Sequence, residues 1–293
     1  MSLAFEPITL ERQQHYLARL RTCPQISSDY SFVNLWAWAD TYGLRWAWDA
    51  NLVWLKQTRP QELYWAPIGP WETIVWENVL QRLLTDCNTF FRIPEKLLRL
   101  WRNMSEIHFD VDDVRGHWDY LYNAEQLKSL TGNRFHKKKN LLNQFKKKYD
   151  YRYEPLRAET IPLATDMQTD WCEWRDCESS ETLSAENQAI ETIFNSWGKL
   201  EGLTGGTLVV DKTIAAYTVA EILTDETILI HFEKANPFYK GGYQAINQIF
   251  LAQTPEAFTL VNREQDLDDE GLRRAKLSYH PVDFIRKYTV RFA

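Results

Sequence analysis

The chain has 293 residues, 44 % hydrophobic and 25 % charged, with a formal net charge of −6. That is the profile of a globular protein with one large or two ordinary domains. An acidic balance excludes a surface built throughout for nucleic acid and leaves no DNA signature, so affinity for RNA or an anionic lipid must come from a local patch. No run approaches the roughly 18 apolar residues that span a bilayer, and Met1–Pro7 lacks a basic segment followed by an apolar one. Neither a transmembrane segment nor a secretory signal is therefore expected. Cys23, Cys87, Cys172 and Cys177 show no zinc or redox spacing. The expected setting is cytoplasmic, with reduced, structural thiols.

In chain order, Thr9–Leu20 reads as a helix capped by Thr9, with Leu10, Tyr16, Leu17 and Leu20 on one face. Phe32–Tyr42 is a second helix that stops at Gly43. Three short strands follow at Leu44–Trp48, Asn51–Gln57 and Glu62–Ala66, then an amphipathic helix over Thr73–Cys87. A strand near Phe90–Ile93, a helix at Glu95–Asn103 and a strand at Glu106–Val111 complete a first domain, 1–115. Thirteen tryptophans crowd largely into this half. In strand-like runs such as Trp46–Trp48 and Trp54 they are expected to fill a core rather than present a stacking surface.

The second domain, 116–293, opens with a strand at Trp118–Tyr122 and helices at Ala124–Leu130 and Asn133–Tyr149. Tyr151–Pro155 is extended, and helices follow at Pro162–Cys177 and Ser184–Leu200, the latter capped by Ser184. A meander covers Gly206–Val210, Ile214–Leu223 and Thr227–Lys234. After Asn236–Pro237 and Lys240–Gly241–Gly242 the period turns helical through Tyr243, Ile246, Ile249 and Phe250. Phe258–Arg263 is then a strand, Glu270–Tyr279 a helix and Phe284–Phe292 a final strand.

Two constellations carry chemistry. The strand, glycine turn and helix start place free backbone N–H groups at one end of a sheet, an anion-attracting arrangement. His231 and Glu233, two apart on that strand, are expected to share a face. They suit general acid–base work or, equally plainly, form a satisfied polar pair. Asn262, Arg263 and Glu264 end the neighbouring strand, and Arg273, Lys276 and Tyr279 lie on one helix face as an anion pocket with a proton donor. The other constellation is basic: no acidic residue falls between Glu125 and Asp150, while Arg134, Lys137, Lys138, Lys139 and Lys146–Lys148 do. Lys138 occupies an apolar slot in the stripe Phe135, Leu142, Phe145, Tyr149. Its stem either snorkels past the core edge or directs the ammonium at an anion in a cleft. No covalent nucleophile, metal cluster or phosphate loop is recognisable.

The blocks NRFHKKKNLLNQFKKKY, HFEKAN…GGYQAIN and VNREQDLDDEGLRRAKLSYHP together resemble the DUF2156 proteins, which are similar to the C-terminal domain of phosphatidylglycerol lysyltransferases. The resemblance covers Trp118 to residue 293, and the first 115 residues carry no matching block. It implies an α/β fold of tandem acetyltransferase-like (GNAT) domains, with mixed sheets flanked by helices and two related domains facing one cleft. It also implies kinship with enzymes that pass an aminoacyl group from charged tRNA to lipid or peptidoglycan precursors. Carried over, Gly241, Gly242 and Tyr243 would lie at the donor-side turn, between splayed strands. His231, Glu233, Asn262, Arg263 and Glu264 would line the reaction centre. Arg134, Lys138, Arg273 and Lys276 would hold anionic parts of the substrates. The pyrophosphate signature Q/R-x-x-G-x-G/A for acetyl-CoA is not met, because Phe238 and Tyr243 stand at its first and last positions.

The expected activity is direct transfer of an acyl or aminoacyl group to an amine or hydroxyl, with His231 or Glu233 as base and Tyr279 as acid. Aminoacyl-tRNA or an acyl-CoA would be the donor; tRNA, an anionic small molecule or a lipid headgroup would be the partner. The rivals are a non-catalytic scaffold that binds tRNA through the lysines, an acetyl-CoA-dependent small-molecule acetyltransferase, and a lysine-helix membrane anchor.

Overall fold

The structure, a computed structural model, describes residues 3–83 and 88–293, with Arg82 described by its backbone alone. The chain forms two compact units. The first comprises Met1–Asp119, Gln265–Glu270 and Phe284–Ala293, and the second Tyr120–Glu264 and Gly271–Asp283.

The first unit opens with β1 (Glu6–Pro7), α1 (Gln13–Leu20), α2 (Phe32–Ala37) and α3 (Ala39–Tyr42). It continues through β2 (Arg45–Trp48), β3 (Val53–Gln57), β4 (Leu63–Trp65), α4 (Trp76–Leu83), β5 (Thr89–Pro94), α5 (Glu95–Arg102) and β6 (Phe109–Asp113). The helix expected from Thr9 starts as a 3-10 turn, and the Thr9 side chain makes no cap. The second expected helix breaks at Trp38, whose φ, ψ of −99°, 4° interrupt the helical run. Gly43 ends it in the left-handed region, φ 58°, as its sequence position predicts. The last turn expected before Cys87 lies outside the described residues. Trp46, Trp54, Trp65, Trp71, Trp76 and Trp101 are all buried, so these rings build the core.

The remaining elements are β7 (Asp119–Asn123), α6 (Ala124–Ser129), α7 (His136–Lys148), β8 (Tyr151–Pro155), α8 (Ile161–Arg175) and α9 (Glu181–Asn195). Then come β9 (Leu203–Val210), β10 (Thr213–Thr224), β11 (Thr227–Ala235), α10 (Gly242–Gln253), β12 (Leu260–Asn262), α11 (Glu270–Leu277), β13 (Asp283–Ile285) and β14 (Lys287–Phe292). Among the described residues the two sheets run β1-β2-β3-β4-β5-β14-β6 and β13-β7-β12-β11-β10-β9-β8. Both are mixed, since β4–β5 and β11–β12 pair in parallel among otherwise antiparallel ladders. α6, α7 and α10 pack together, while α8 and α9 pack with one another and against β10.

Four expectations change. The single strand predicted over Phe284–Phe292 is two strands in different sheets, parted at Arg286. Lys287 explains the switch: its buried ammonium bonds Asp29, Asp119 (2.7 Å) and Gln265 (2.9 Å), which fixes β14 between β5 and β6. The boundary at 115/116 accordingly gives way to a break at Asp119/Tyr120, with two later segments returning to the first unit. Ser180, not Ser184, caps α9 by accepting from the Leu183 N–H at 3.4 Å. Cys172 and Cys177 form a disulfide where reduced thiols were expected. Asp176, left-handed at φ 53°, turns the chain back after α8 and brings their Cα atoms to 5.0 Å. Cys23 is free, and burial pushes its thiol up to about 12.

Candidate active site

The site lies in the second unit, where β11 and β12 part. Their parallel pairing runs from Thr227↔Leu260 to Leu229↔Asn262 and stops there, while β11 continues to Ala235. Two side-chain pairs brace the gap beyond the last rung. The Glu233 carboxylate accepts from the Arg263 guanidinium, and His231 Nδ1 lies 3.1 Å from Glu264 Oε1.

The local register decides what each residue does. On β10, Val219 pairs with Phe232 and Ala220 with Ile230, so His231 is the extra residue of a β-bulge. The alternation predicted from sequence therefore fails there: His231 and Glu233 take different partners and form no acid–base pair. His231 Nε2 is 3.7 Å from Glu221 Oε1, and its ring is completely buried between Glu221 and Glu264. In this position it braces Glu264. Glu264 is left-handed, φ 54°, and its N–H donates to Asn262 Oδ1 at 2.8 Å. Asn262 thus supports a strained turn.

Burial works against a charged His231, but the Glu264 bond and the Glu221 charge outweigh it and raise its pKa. A raised folded value means stability fully present below the unfolded value of about 6.5 and lost as pH rises through the folded one. Urea unfolding across that window should show wild-type stability falling with pH, and His231→Gln should flatten the slope. An identical slope in the variant would remove His231 as its origin.

Glu233 faces α10, where Asn247 Nδ2 donates to Oε1 at 2.9 Å. Arg263 lies with its guanidinium carbon 4.8 Å from the Tyr279 ring centre, and Lys138 Nζ is 4.3 Å from that centre. Of the two alternatives for Lys138, the ammonium turns inward to this cluster. Burial, then the Arg263 charge, lowers its pKa. Burial also pushes the Tyr279 phenol up to about 12, against the pull of Arg263, and Gln244 of α10 hydrogen-bonds it. Burial opposes the Arg263 charge, yet Glu233 outweighs it and holds the guanidinium above its ordinary value. Among the described residues, Arg263 Nη1, Asn247 Oδ1 and His231 Nε2 are buried without a hydrogen-bond partner. Such groups are costly unless a ligand engages them.

Other predicted residues have different roles. Lys276 donates to the Arg263 carbonyl, and Tyr122 Oη donates to the Lys276 carbonyl at 2.9 Å, so Lys276 supports Arg263 rather than presenting an anion pocket. Arg273 is half-buried on the same helix. Arg134 is exposed beside Phe135. Gly241 is left-handed at φ 87°, and a Cβ there would meet the Leu141 carbonyl at 2.4 Å; Gly242 sits against Ala235. Both glycines let α10 start close to α7 and β11. Tyr243 Oη accepts from Trp171 Nε1 at 3.1 Å. Sequence reasoning missed Gln244, Asn247, Tyr122 and Glu221. The first two carried a signal: polar residues three apart on a largely apolar helix, with Asn247 only 1 % exposed. Among the described residues no group of three or more His, Cys, Asp or Glu side chains is placed to hold a metal ion.

Two mixed sheets flanked by helices, with a strand–glycine turn–helix–strand crossover opening onto a polar cluster, define a tandem acetyltransferase-like fold. The chain belongs to the family described as phosphatidylglycerol lysyltransferase, C-terminal, whose profile matches residues 20–291 and so reaches well before Trp118. A conserved protein of unknown function from Bacteroides thetaiotaomicron VPI-5482 is 30 % identical, with TM-score 0.91 and 100 % of both chains covered. The C-terminal DUF2156 domain of a putative lysylphosphatidylglycerol synthetase from Agrobacterium fabrum shares the fold at 14 % identity and TM-score 0.66, covering 96 % of this chain and 90 % of that one. A tandem GNAT protein from the clavulanic acid biosynthesis pathway does so at 9 % identity and TM-score 0.50, covering 99 % and 98 %. An uncharacterised protein of Mycoplasmoides gallisepticum is 26 % identical over 179 residues; the match spans 59 % of this chain and only 56 % of that relative's length. The family is one of acyl- and aminoacyltransferase-like proteins. No helix among the described residues is long and apolar enough to cross a membrane.

Proposed function

We propose that the chain transfers an acyl or aminoacyl group from an activated ester to an amine or hydroxyl acceptor by direct attack. The observation that carries this reading is the convergence of Glu233, Arg263, Tyr279, Lys138 and Asn247 where β11 and β12 part. The acceptor's nitrogen or oxygen attacks the ester carbonyl carbon and passes its proton to Glu233, directly or through water. Arg263 Nη1 and the Lys138 ammonium stabilise the developing oxyanion. As the carbon–oxygen bond to the donor breaks, the Tyr279 phenol protonates the leaving oxygen, and the proton on Glu233 restores the phenol through solvent.

Aminoacyl-tRNA is the favoured donor. The family's description names a lysyltransferase, and Phe238 and Tyr243 replace the pyrophosphate signature of acetyl-CoA enzymes. Exposed Lys137, Lys139, Lys146, Lys147 and Lys148 on α7 would follow the tRNA backbone, giving salt-dependent binding. The reaction belongs to the cytoplasm, where charged tRNA is made.

The test incubates the purified chain with radiolabelled lysyl-tRNA and, in parallel, labelled acetyl-CoA. Phosphatidylglycerol vesicles and soluble amines serve as acceptors. Label is expected to move from tRNA to an acceptor. Binding of tRNA without transfer to any acceptor would favour the scaffold reading instead.

A further inference from the structure

We propose that Phe238 and Trp174 form a stacking corner for a nucleobase at the end of the donor. This rests on the transferase reading above and adds to it a subsite for adenine, the base that coenzyme A and the 3′ end of charged tRNA share. The observation is an exposed aromatic pair in mutual contact. Phe238 is 74 % exposed and Trp174 37 %, and their rings meet edge to face at 5.7 Å and 84°. Single exposed rings are ordinary, but two in contact form a small contiguous apolar patch.

Both are held in place. The Phe238 N–H donates to Asn236 Oδ1 at 2.9 Å, and its carbonyl accepts from Tyr149 Oη at 3.2 Å. Trp174 stands in the last turn of α8, tied down by the Cys172–Cys177 disulfide. A backbone already ordered leaves less conformational entropy to lose when a base stacks on the rings. The perpendicular pair offers one face for the base and one edge beside it.

Position and charge identify the occupant. Phe238 precedes the Gly241–Gly242 turn by three residues and takes the place of the missing Gln or Arg of the acetyl-CoA signature. Tyr243, 42 % exposed, adjoins the same turn with its hydroxyl fixed by Trp171. Arg175, whose guanidinium carbon is 5.7 Å from the Trp171 ring, and exposed Lys240 supply cations for phosphate attached to the base. The same end of α8 carries exposed Glu173, Asp176 and Glu178. Those carboxylates would repel a broad anionic bilayer and also oppose the attached phosphate, so recognition at this corner rests on stacking of the base.

The test is calorimetric titration of wild type, Phe238→Ala and Trp174→Ala with coenzyme A, the trinucleotide CCA and AMP, and with pantetheine as a base-free control. Both substitutions are at exposed positions, and circular dichroism checks the fold. Adenine-bearing probes are expected to lose about tenfold or more in affinity in either variant, with pantetheine unaffected. Loss for coenzyme A alone assigns a thioester donor; loss for CCA alone assigns an RNA ester. Equal affinity in variants and wild type, or no binding of any adenine-bearing probe by wild type, overturns the proposal. Glu233-dependent transfer from a base-free acyl ester would then show that the subsite alone had failed, whereas its absence as well would sink the transferase reading.

Discussion

Glu233→Gln is expected to lower transfer by about two orders of magnitude or more, the scale of losing a positioned general base. Glutamine keeps the volume and an oxygen for Asn247, so β11 and α10 remain in contact. It cannot take the acceptor's proton, and it leaves Arg263 without its counter-ion. The fall should appear in kcat more than in KM, because both defects act on developing charge rather than on ground-state binding. Arg263→Lys separates the two roles, since it preserves a cation beside Glu233 and loses the fork that reaches both the carboxylate and the oxyanion. Transfer by Glu233→Gln at the wild-type rate would remove Glu233 from the chemistry.

The second large effect is on stability. Lys287→Met should destabilise the protein by about 3–5 kcal/mol, because removing one member of a buried ion cluster leaves the others uncompensated. The side chains of Lys287 and Asp119 are wholly buried, and that of Asp29 is 1 % exposed. Asp119 also takes the Ser28 N–H at 2.7 Å and the Ser28 hydroxyl at 2.8 Å, while Arg92 holds Asp29 from the other side. Adding Asp119→Leu to Lys287→Met should recover part of the loss, since a paired apolar replacement avoids the stranded charge. Burial works against the Asp29 carboxylate, yet Lys287 and Arg92 outweigh it and lower its pKa. Its contribution is therefore present above the unfolded value of about 3.9 and fades as pH falls through the lower folded one. Urea midpoints at neutral pH check the substitution, and an unshifted midpoint would contradict it.

Most elements were legible in the sequence because their signals are local. The helical stripe of α7, the left-handed Gly43 and the meander of β9 to β11 each follow from period or from a single residue's backbone freedom. What escaped depends on contacts distant in sequence. Nothing within Ile228–Ala235 announces that β10 forces an extra residue at His231, yet that bulge converts an apparent catalytic pair into a brace and a separate carboxylate. Phe284–Phe292 alternates like one strand, and only the carboxylates of Asp29 and Asp119 reveal why it divides. Cys172 and Cys177 match no metal or redox pattern, and the left-handed Asp176 between them is what joins them. In the site, Arg263, Glu233, Tyr279 and Lys138 were named from type and spacing, whereas the bond from Lys276 to the Arg263 backbone carbonyl is one that no side-chain pattern announces.

The placement of β14 between β5 and β6 has a consequence for how the molecule is made and dissected. During synthesis β5 and β6 emerge long before Lys287–Phe292, with the whole second unit translated in between. The first unit's sheet thus lacks its next-to-last strand, leaving β6 unpaired, and Asp29 and Asp119 stay without Lys287, until the second unit has left the ribosome. No single cut in the chain yields either unit intact, and limited proteolysis between them would release fragments that depend on each other's strands.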